Sequence, residues 1–397
     1  MQRKVDLFHT PLTTQGVRTI AVSSVVVVCA PRVGDDRSSD QVVGEWKGRF
    51  VGTAGNSDQN LVQNSTTMVC SRGDSEEKGD DMDVGPSGIH HVTAIASNPR
   101  ANAEFYLNAL GMRLVKRTVN FDSPDVYHLY YGDRAGNPGT IMTFFPWPDA
   151  PRGRIGTGQV TTTTFSVPEG SLGWWAEHLA ALDIPTTRPE ERGQEDVLSL
   201  RDPDGLLIEL AASTDHHDTD PWDGGAVPPE HAVRGIRAVT LTEQEVEGTV
   251  EMLNGHLGFQ LTEEALGRLR FRTDTTSDGV GTIVDVLAAP DSRRGLVAAG
   301  TVHHVAWRVP DIQAQENWRQ TLVEAGVEVT EIRDRNYFTS IYFREPGGVL
   351  LEIATDGPGF DYDEPLLELG QALKLPPWLE PRREQIAAHL PALEVKR

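Results

Sequence analysis

The amino-acid sequence predicts an α+β protein built from four βαβββ modules that pair into two domains. Three observations lead to this prediction. Four segments share one plan, in which a short strand and an amphipathic helix are followed by strands, the last of which opens with glycine. The helical segments of modules one, three and four stop at Gly111, Gly258 and Gly326. Turn signals rich in Pro, Asp and Gly precede the last strands of modules two and four.

The elements can be assigned in chain order. The modules open with short strands at residues 88–93, 158–161, 235–239 and 301–305. Apolar residues at helical spacing follow at 101–110, 172–182, 246–257 and 312–325. The closing strands are 139–144, 205–210, 281–286 and 348–353, and a further helix is predicted at 382–390.

These elements divide the chain into five parts. Residues 1–87 are rich in Gly, Ser, Asp and Asn without a sustained period, so we expect a disordered or loosely ordered extension, and Met82 is an alternative natural start. Residues 88–214 and 234–356 form an N-terminal and a C-terminal domain of two modules each. Residues 215–233, with three prolines, connect them, and residues 357–397 form a tail.

Composition narrows the possible partners and compartment. The net charge is −22, from 58 acidic and 36 basic residues, and such a surface repels nucleic acid. The two cysteines lie upstream of the modules, which excludes a disulfide framework or a cysteine-based metal site there. We expect a cytoplasmic protein that does not bind membranes. Only six lysines are present, and this acidic, lysine-poor pattern fits either a halophilic source or an ordinary acidic protein.

Histidine pairs open modules one and four, at His90-His91 and His303-His304. Neighbouring strand residues face opposite sides of a sheet, so simple alternation lets one histidine of each pair face a cavity. The residues alternating with the first histidine of each pair are apolar: Val92, Ala94 and Ala96 in module one, and Val305, Trp307 and Val309 in module four. Alternation therefore predicts that His91 and His304 face the cavity and that His90 and His303 turn toward the helices.

Glu352 completes a possible metal-binding set. It lies in an apolar strand, where a lone carboxylate is unfavourable unless it is paired or binds a metal. Two imidazoles and one carboxylate suit Fe(II) in oxygenases, and Mn(II) accepts the same donors. A structural role for the histidines is the alternative. Glu209 and Asp285 hold the place of Glu352 in modules two and three, but those modules have no histidine in their first strands.

Several longer motifs make the chain resemble the vicinal oxygen chelate superfamily, with its glyoxalase/bleomycin-resistance/dioxygenase domains. More closely, it resembles ring-cleaving dioxygenases of the hydroquinone 1,2-dioxygenase type. The resemblance runs from about Gly88 to the C-terminus. It is carried by residues 88–93, 115–119, 127–130, 170–175 and 302–304, and by Tyr342 through Pro346-Gly347-Gly348 to Glu352.

The resemblance implies that His91, His304 and Glu352 hold Fe(II) and that a small aromatic diol and O2 are the substrates. It also implies substrate-contacting or supporting roles for five further residues: His90, Thr93, His303, Arg335 and Tyr342. Two other functions are open on the same scaffold. A glyoxalase-type lyase or isomerase typically needs a fourth ligand, and Thr143 stands in that place; a small-molecule-binding protein needs no metal. The sequence does not fix the diol or the oligomeric state.

Overall fold

A computed structural model of the chain describes residues 42–44, 68–70, 86–148, 150–192, 195–214, 219–265, 267–273 and 281–393. The chain separates into two units, Met1–Asp80 and Asp81–Arg397. In the first unit, strand β1 (Val42–Gly44) pairs antiparallel with β2 (Met68–Cys70). Apart from these strands and residues 86–87, the extension predicted at 1–87 lies outside the described residues.

The second unit contains the four modules. Modules one and two comprise β3 (Ile89–Ala96), α1 (Pro99–Glu104), β4 (Arg113–Asn120), β5 (Ser123–Gly132), β6 (Ile141–Pro146), β7 (Gln159–Pro168), α2 (Leu172–Ala181), β8 (Glu190–Arg192), β9 (Glu195–Arg201) and β10 (Leu207–Ser213). Modules three and four comprise β11 (Gly235–Glu243), α3 (Glu247–Val250), β12 (Gln260–Ala265), β13 (Arg268–Arg272), β14 (Ile283–Ala288), β15 (Thr301–Val309), α4 (Ile312–Glu324), β16 (Arg333–Asp334), β17 (Thr339–Arg344) and β18 (Leu350–Thr355). Helices α1 and α3 each continue into a π-helical turn, at Phe105–Ala109 and Glu251–His256. Among the described residues, no helix is both long and apolar enough to cross a membrane.

The modules pair across the two halves of the chain. One eight-stranded sheet has the order β16-β17-β18-β15-β3-β6-β5-β4 and joins module four to module one. The other has the order β12-β13-β14-β11-β7-β10-β9-β8 and joins module three to module two. The predicted α+β fold of four paired βαβββ modules is thereby confirmed, with each sheet taking one module from each half of the sequence. The division into domains at 88–214 and 234–356 stays a prediction.

The first strands of the modules lie at the centre of each sheet. In the first sheet, β3 and β15 pair antiparallel with each other, and their outer neighbours β6 and β18 run parallel to them. Side chains on one face of both strands belong to a single hydrophobic core shared with the helices: Ile89, Val92, Ala94, Val302, Val305 and Trp307. The opposite face of β3 and β15 points away from this core, and a site can form there.

The C-terminal tail packs on module one through a buried lysine. Lys116 of β4 has no solvent exposure, and its Nζ lies 2.6 Å from Asp363 Oδ1 and 2.5 Å from Glu364 Oε2. Arg117 donates to the backbone oxygens of Gln371 and Leu393. The tail also contains three 3₁₀ turns and a helix: Phe360–Tyr362, Leu366–Glu368, Glu380–Arg382 and α5 (Arg383–His389). The tail is thus held by ion pairs, by arginine hydrogen bonds to its backbone oxygens, and by apolar packing of Leu375, Leu379 and Ile386 with Val119.

Candidate metal centre

Two β-bulges set the direction of the histidine pairs. In the pairing of β15 with β3, the register shifts between Val302 and His304, and again between Ala306 and Trp307, so that His303 and His90 are the extra residues. A bulge places two neighbouring side chains against one partner residue and re-aims them. The prediction that His90 and His303 turn toward the helices was therefore wrong. Both lie on the site side, next to the histidines that follow them.

His91, His304 and Glu352 converge as predicted. Nε2 of His91 lies 3.3 Å from Nε2 of His304, and Glu352 Oε2 lies 2.9 Å from Nε2 of His304 and 3.5 Å from Nε2 of His91. All three side chains are buried. Among the described residues they are the one group of three or more His, Cys, Asp or Glu side chains whose ligand atoms gather this closely.

The donor set fits a divalent cation better than a hydrogen-bonded cluster. Ser340 Oγ donates to Glu352 Oε1, which orients the carboxylate. The other oxygen, Oε2, is buried and accepts no hydrogen bond from any described residue, although two imidazole nitrogens lie close to it. Burial alone would raise the pKa of Glu352, but the imidazoles of His91 and His304 hold that pKa well below its usual range. An ionised, incompletely bonded carboxylate beside two imidazoles is an arrangement that a metal ion would complete.

The first histidine of each pair contacts the second through its ring nitrogen. Nδ1 of His90 lies 2.9 Å from Nδ1 of His91, and Nδ1 of His303 lies 2.8 Å from Nδ1 of His304. Burial lowers the pKa of His90 well below its ordinary value and that of His303 to about 3, so both stay neutral. A neutral imidazole whose Nδ1 accepts a hydrogen bond from its neighbour's Nδ1–H leaves that neighbour's Nε2 lone pair free for a metal.

Arg335 and Tyr342 lie on the module-four side of the same cavity. Arg335 Nε donates to the Tyr342 hydroxyl at 3.0 Å, and the Tyr342 ring lies edge-on to His304 with centroids 5.9 Å apart. Arg335 Nη1 also pairs with Asp122 Oδ2 at 3.1 Å. Burial raises the pKa of Tyr342, so its hydroxyl remains protonated.

The cavity has a volume of about 460 Å³ and opens above the three donors. Its wall is largely aromatic, with Phe121, Phe145, Trp147 and Phe338 among the lining residues. The predicted site residues His91, His303, His304, Arg335, Tyr342 and Glu352 also line it. His90 and Thr93 are buried beside it: His90 packs on Phe338, and Thr93 Oγ1 lies 3.1 Å from Thr143 Oγ1.

His128 and Tyr130 line the cavity too, and the sequence prediction did not include them among the site residues. His128 Nε2 lies 2.6 Å from Thr143 Oγ1, and His128 Nδ1 lies 2.8 Å from the Tyr130 hydroxyl. Both residues stand on alternate positions of β5, and that spacing was the available signal. Thr143, which stands in the place where a fourth ligand would come, is engaged by His128 and Thr93.

The second sheet repeats this geometry without the imidazoles. Its central pair, β7 and β11, has bulges at Thr161 and Arg237. Thr162 therefore corresponds to His91, and Ala238 corresponds to His304.

Arginines form ion pairs with Asp285 and Glu195 in the second sheet. Asp285 corresponds in register to Glu352. It pairs with Arg268 Nη1 at 3.0 Å and with Arg270 Nε at 2.8 Å. Glu195 pairs with Arg270 at 3.3 Å and with Arg237, the bulge residue of β11, at 2.6 Å. This cluster is built from fixed charge pairs.

Comparison with known proteins agrees with this geometry. The sequence profile of the Glyoxalase/Bleomycin resistance protein/Dioxygenase superfamily matches residues 88–210 and 228–353. MhqO of Bacillus subtilis (strain 168), named a ring-cleaving dioxygenase, is 42% identical over 309 residues, which cover 78% of this chain and 97% of that protein. A chlorohydroquinone/hydroquinone 1,2-dioxygenase of Sphingobium indicum is 33% identical over 305 residues, which cover 75% of this chain and 94% of that protein.

Solved structures show the same fold. A crystal structure of a Bacillus subtilis protein named a dioxygenase superimposes with a TM-score of 0.75 at 41% identity and covers 79% of this chain and 99% of that one. Maize glyoxalase I gives a TM-score of 0.53 at 16% identity, covering 72% of this chain and 97% of that one, which shows the fold alone. The chain therefore belongs to the Glyoxalase/Bleomycin resistance protein/Dioxygenase superfamily.

Proposed function

We propose that this protein is an Fe(II)-dependent dioxygenase that opens the ring of a hydroquinone- or catechol-type diol with O2. One observation supports it above the others: His91, His304 and Glu352 bring three donor atoms together at the floor of an aromatic-walled cavity. Three protein donors leave about three positions of an octahedral ion for exogenous ligands. The relatives named ring-cleaving dioxygenases support the same reaction class.

The residues around the donors have separable tasks in this proposal. His90 and His303 would orient the two ligand imidazoles. Bound Fe(II) would supply a Lewis-acidic centre that favours the ionised diol and a place for O2 beside it. Arg335 would stabilise negative charge on the substrate, and the Tyr342 hydroxyl would hold or move a proton there. The acidic, cysteine-poor composition fits our expectation of a cytoplasmic enzyme.

Anaerobic reconstitution with Fe(II), followed by O2 uptake with a panel of hydroquinones and catechols, tests the proposal. We expect one of these diols to support O2 uptake. Mn(II) is tested in parallel as the alternative ion. His304→Ala should abolish both bound iron and turnover, whereas Tyr342→Phe should retain iron and lose rate. Full iron occupancy in the His304 variant would refute the ligand assignment.

The two alternative functions give different results in the same series. A glyoxalase-type enzyme would convert the methylglyoxal–glutathione adduct with Ni(II) or Zn(II) and would not consume O2. A metal-free binding protein would bind an aromatic ligand equally well after treatment with a chelator. The engagement of Thr143 by His128, rather than a fourth ligand at that position, weighs against the glyoxalase-type reaction.

A further inference from the structure

The strand register relates Tyr130 to Tyr342 by an approximate two-fold symmetry of the first sheet. Tyr342 of β17 stands opposite Glu352 of β18, and Tyr130 of β5 stands opposite Thr143 of β6. The same operation exchanges His91 with His304, which pair with Ala306 and Thr93 across β3 and β15. The cavity therefore has a tyrosine on each side of the two histidines.

Each tyrosine is held by a different partner. Arg335 holds the Tyr342 hydroxyl, and His128 holds the Tyr130 hydroxyl at 2.8 Å. The position equivalent to His128 is Ser340, which bonds to Glu352 instead. The two sides of the cavity thus have the same strand register. The tyrosine is held by the charged Arg335 on one side and by the neutral His128 on the other.

His128 is fixed at both ring nitrogens. Nδ1 meets the Tyr130 hydroxyl and Nε2 meets Thr143 Oγ1 at 2.6 Å. Its ring also packs on Tyr130 and Phe145, with centroids 4.0 and 4.4 Å away. Burial lowers the pKa of His128 well below its ordinary value and raises that of Tyr130, so both groups stay uncharged. A neutral imidazole can give Tyr130 a donor or an acceptor, according to its tautomer.

We propose that Tyr130 binds a hydroxyl group of the substrate from the module-one side of the cavity, and that His128 is the positioning residue that holds Tyr130 in place. This inference rests on the proposed function, because it takes a diol as the ligand. A hydroquinone has one oxygen for the metal centre and a second, on the opposite side of the ring, that needs a polar partner. The buried Tyr130 hydroxyl provides such a partner on the module-one side of the cavity, across the two histidines from Arg335 and Tyr342.

The test compares the binding of a diol with that of its mono-hydroxyl analogue. Fe(II)-loaded protein is titrated anaerobically with hydroquinone, with catechol and with phenol. In Tyr130→Phe we expect the Kd of the diol that turns over to rise about 3- to 10-fold, as the loss of one neutral hydrogen bond implies, while the Kd of phenol stays unchanged. An equal rise for diol and phenol, or no rise for either, would overturn the inference.

The His128 variants test the positioning role. His128→Leu should reproduce the selective loss of diol affinity, and adding it to Tyr130→Phe should weaken diol binding no further. His128→Asn retains a polar group at the position of Nδ1 and should recover most of the affinity. Additive losses in the double variant would show that His128 does not act through Tyr130.

Tyr131→Phe is the matched control. Tyr131 is the next residue on β5 and is equally buried, and its hydroxyl donates to Asn102 away from the cavity. It should leave the affinity for every ligand unchanged. If the wild-type protein consumes no O2 with any diol but Tyr130→Phe still lowers diol affinity selectively, the proposed function fails and this inference stands. Normal O2 uptake with identical diol affinity in both proteins overturns this inference alone.

Discussion

Ser340→Ala removes the hydrogen bond that orients the Glu352 carboxylate, which we propose as a metal ligand. Ser340 has no solvent exposure, and its hydroxyl donates to Glu352 Oε1. The other oxygen, Oε2, is thereby aimed at His91 and His304. Without the hydroxyl, the carboxylate can rotate, and Oε1 becomes a buried acceptor that lacks this donor.

The size of the effect follows from the charge and burial of Glu352. A hydrogen bond to a charged group contributes about 1.5–3 kcal/mol, so the free energy of unfolding of the metal-free protein should fall by roughly 2 kcal/mol. Part of that loss also occurs in the metal-bound protein. The metal affinity should therefore fall only about tenfold, at the lower end of the effect typical for groups that orient metal ligands.

Two measurements separate these effects. Urea unfolding of the metal-free protein gives the stability, and Fe(II) titration against a competing chelator gives the affinity. Ser166→Ala is the control, because Ser166 is a fully buried strand serine in the second sheet whose hydroxyl has no hydrogen-bond partner among the described residues. It should leave the Fe(II) affinity unchanged and should not lower the free energy of unfolding, because it removes a buried hydroxyl that makes no hydrogen bond there. A loss of stability in Ser340→Ala without any change of Fe(II) affinity would refute the orienting role.

Three further predictions follow from buried groups. Lys116→Met should lower the free energy of unfolding by about 3 kcal/mol in urea, because it leaves Asp363 and the buried Glu364 without their cation. Burial raises the pKa of Asp202 from 3.8 to about 7, so the folded state binds its proton more tightly than the unfolded chain. The contribution of Asp202 to the free energy of unfolding should be greatest below about pH 4 and should fall as the pH rises to about 7. Asp202→Asn should remove that slope when the free energy of unfolding is measured against pH. Thr143→Glu should keep bound metal and abolish O2 uptake, because a fourth protein ligand would take a position that substrate or O2 needs, as metal analysis and O2 electrode measurements would show.

Each of these three predictions has an outcome that would contradict it, and the Lys116 variant has a matched control. Arg100→Met removes an ion pair with Glu104 that is mostly exposed, and it should cost less than about 0.5 kcal/mol. An effect of Lys116→Met no larger than this would contradict a buried pair. An Asp202→Asn protein with the wild-type pH slope would show that another group carries it. Undiminished O2 uptake in Thr143→Glu would mean that this side chain does not reach the metal.

The fold and the three donors were predictable because repetition and residue type carry them. Four copies of one pattern predicted the modules. Only modules one and four have histidines in their first strands, and this indicated His91 and His304. Glu352 followed because a carboxylate in an apolar strand needs a partner.

The remaining features depend on contacts between distant parts of the chain. The bulges at His90 and His303 arise from pairing between β3 and β15, so strict alternation misplaced these side chains. His128 becomes a site residue only because β5 lies beside β6, which brings it to Thr143. The burial of Lys116 likewise depends on the tail returning from residues 363 and 364.

The arginines of the second sheet bear on how many ions one chain can hold. A guanidinium group keeps its charge over the whole accessible pH range, so Arg268 and Arg270 act as permanent internal counter-ions for Asp285. Iron in excess would have to displace these arginine side chains from Asp285, whereas among the described residues no arginine or lysine forms an ion pair with Glu352, where we propose that the metal binds. Within the described residues, fully loaded protein should accordingly bind one equivalent of iron, at His91, His304 and Glu352, and none at Asp285.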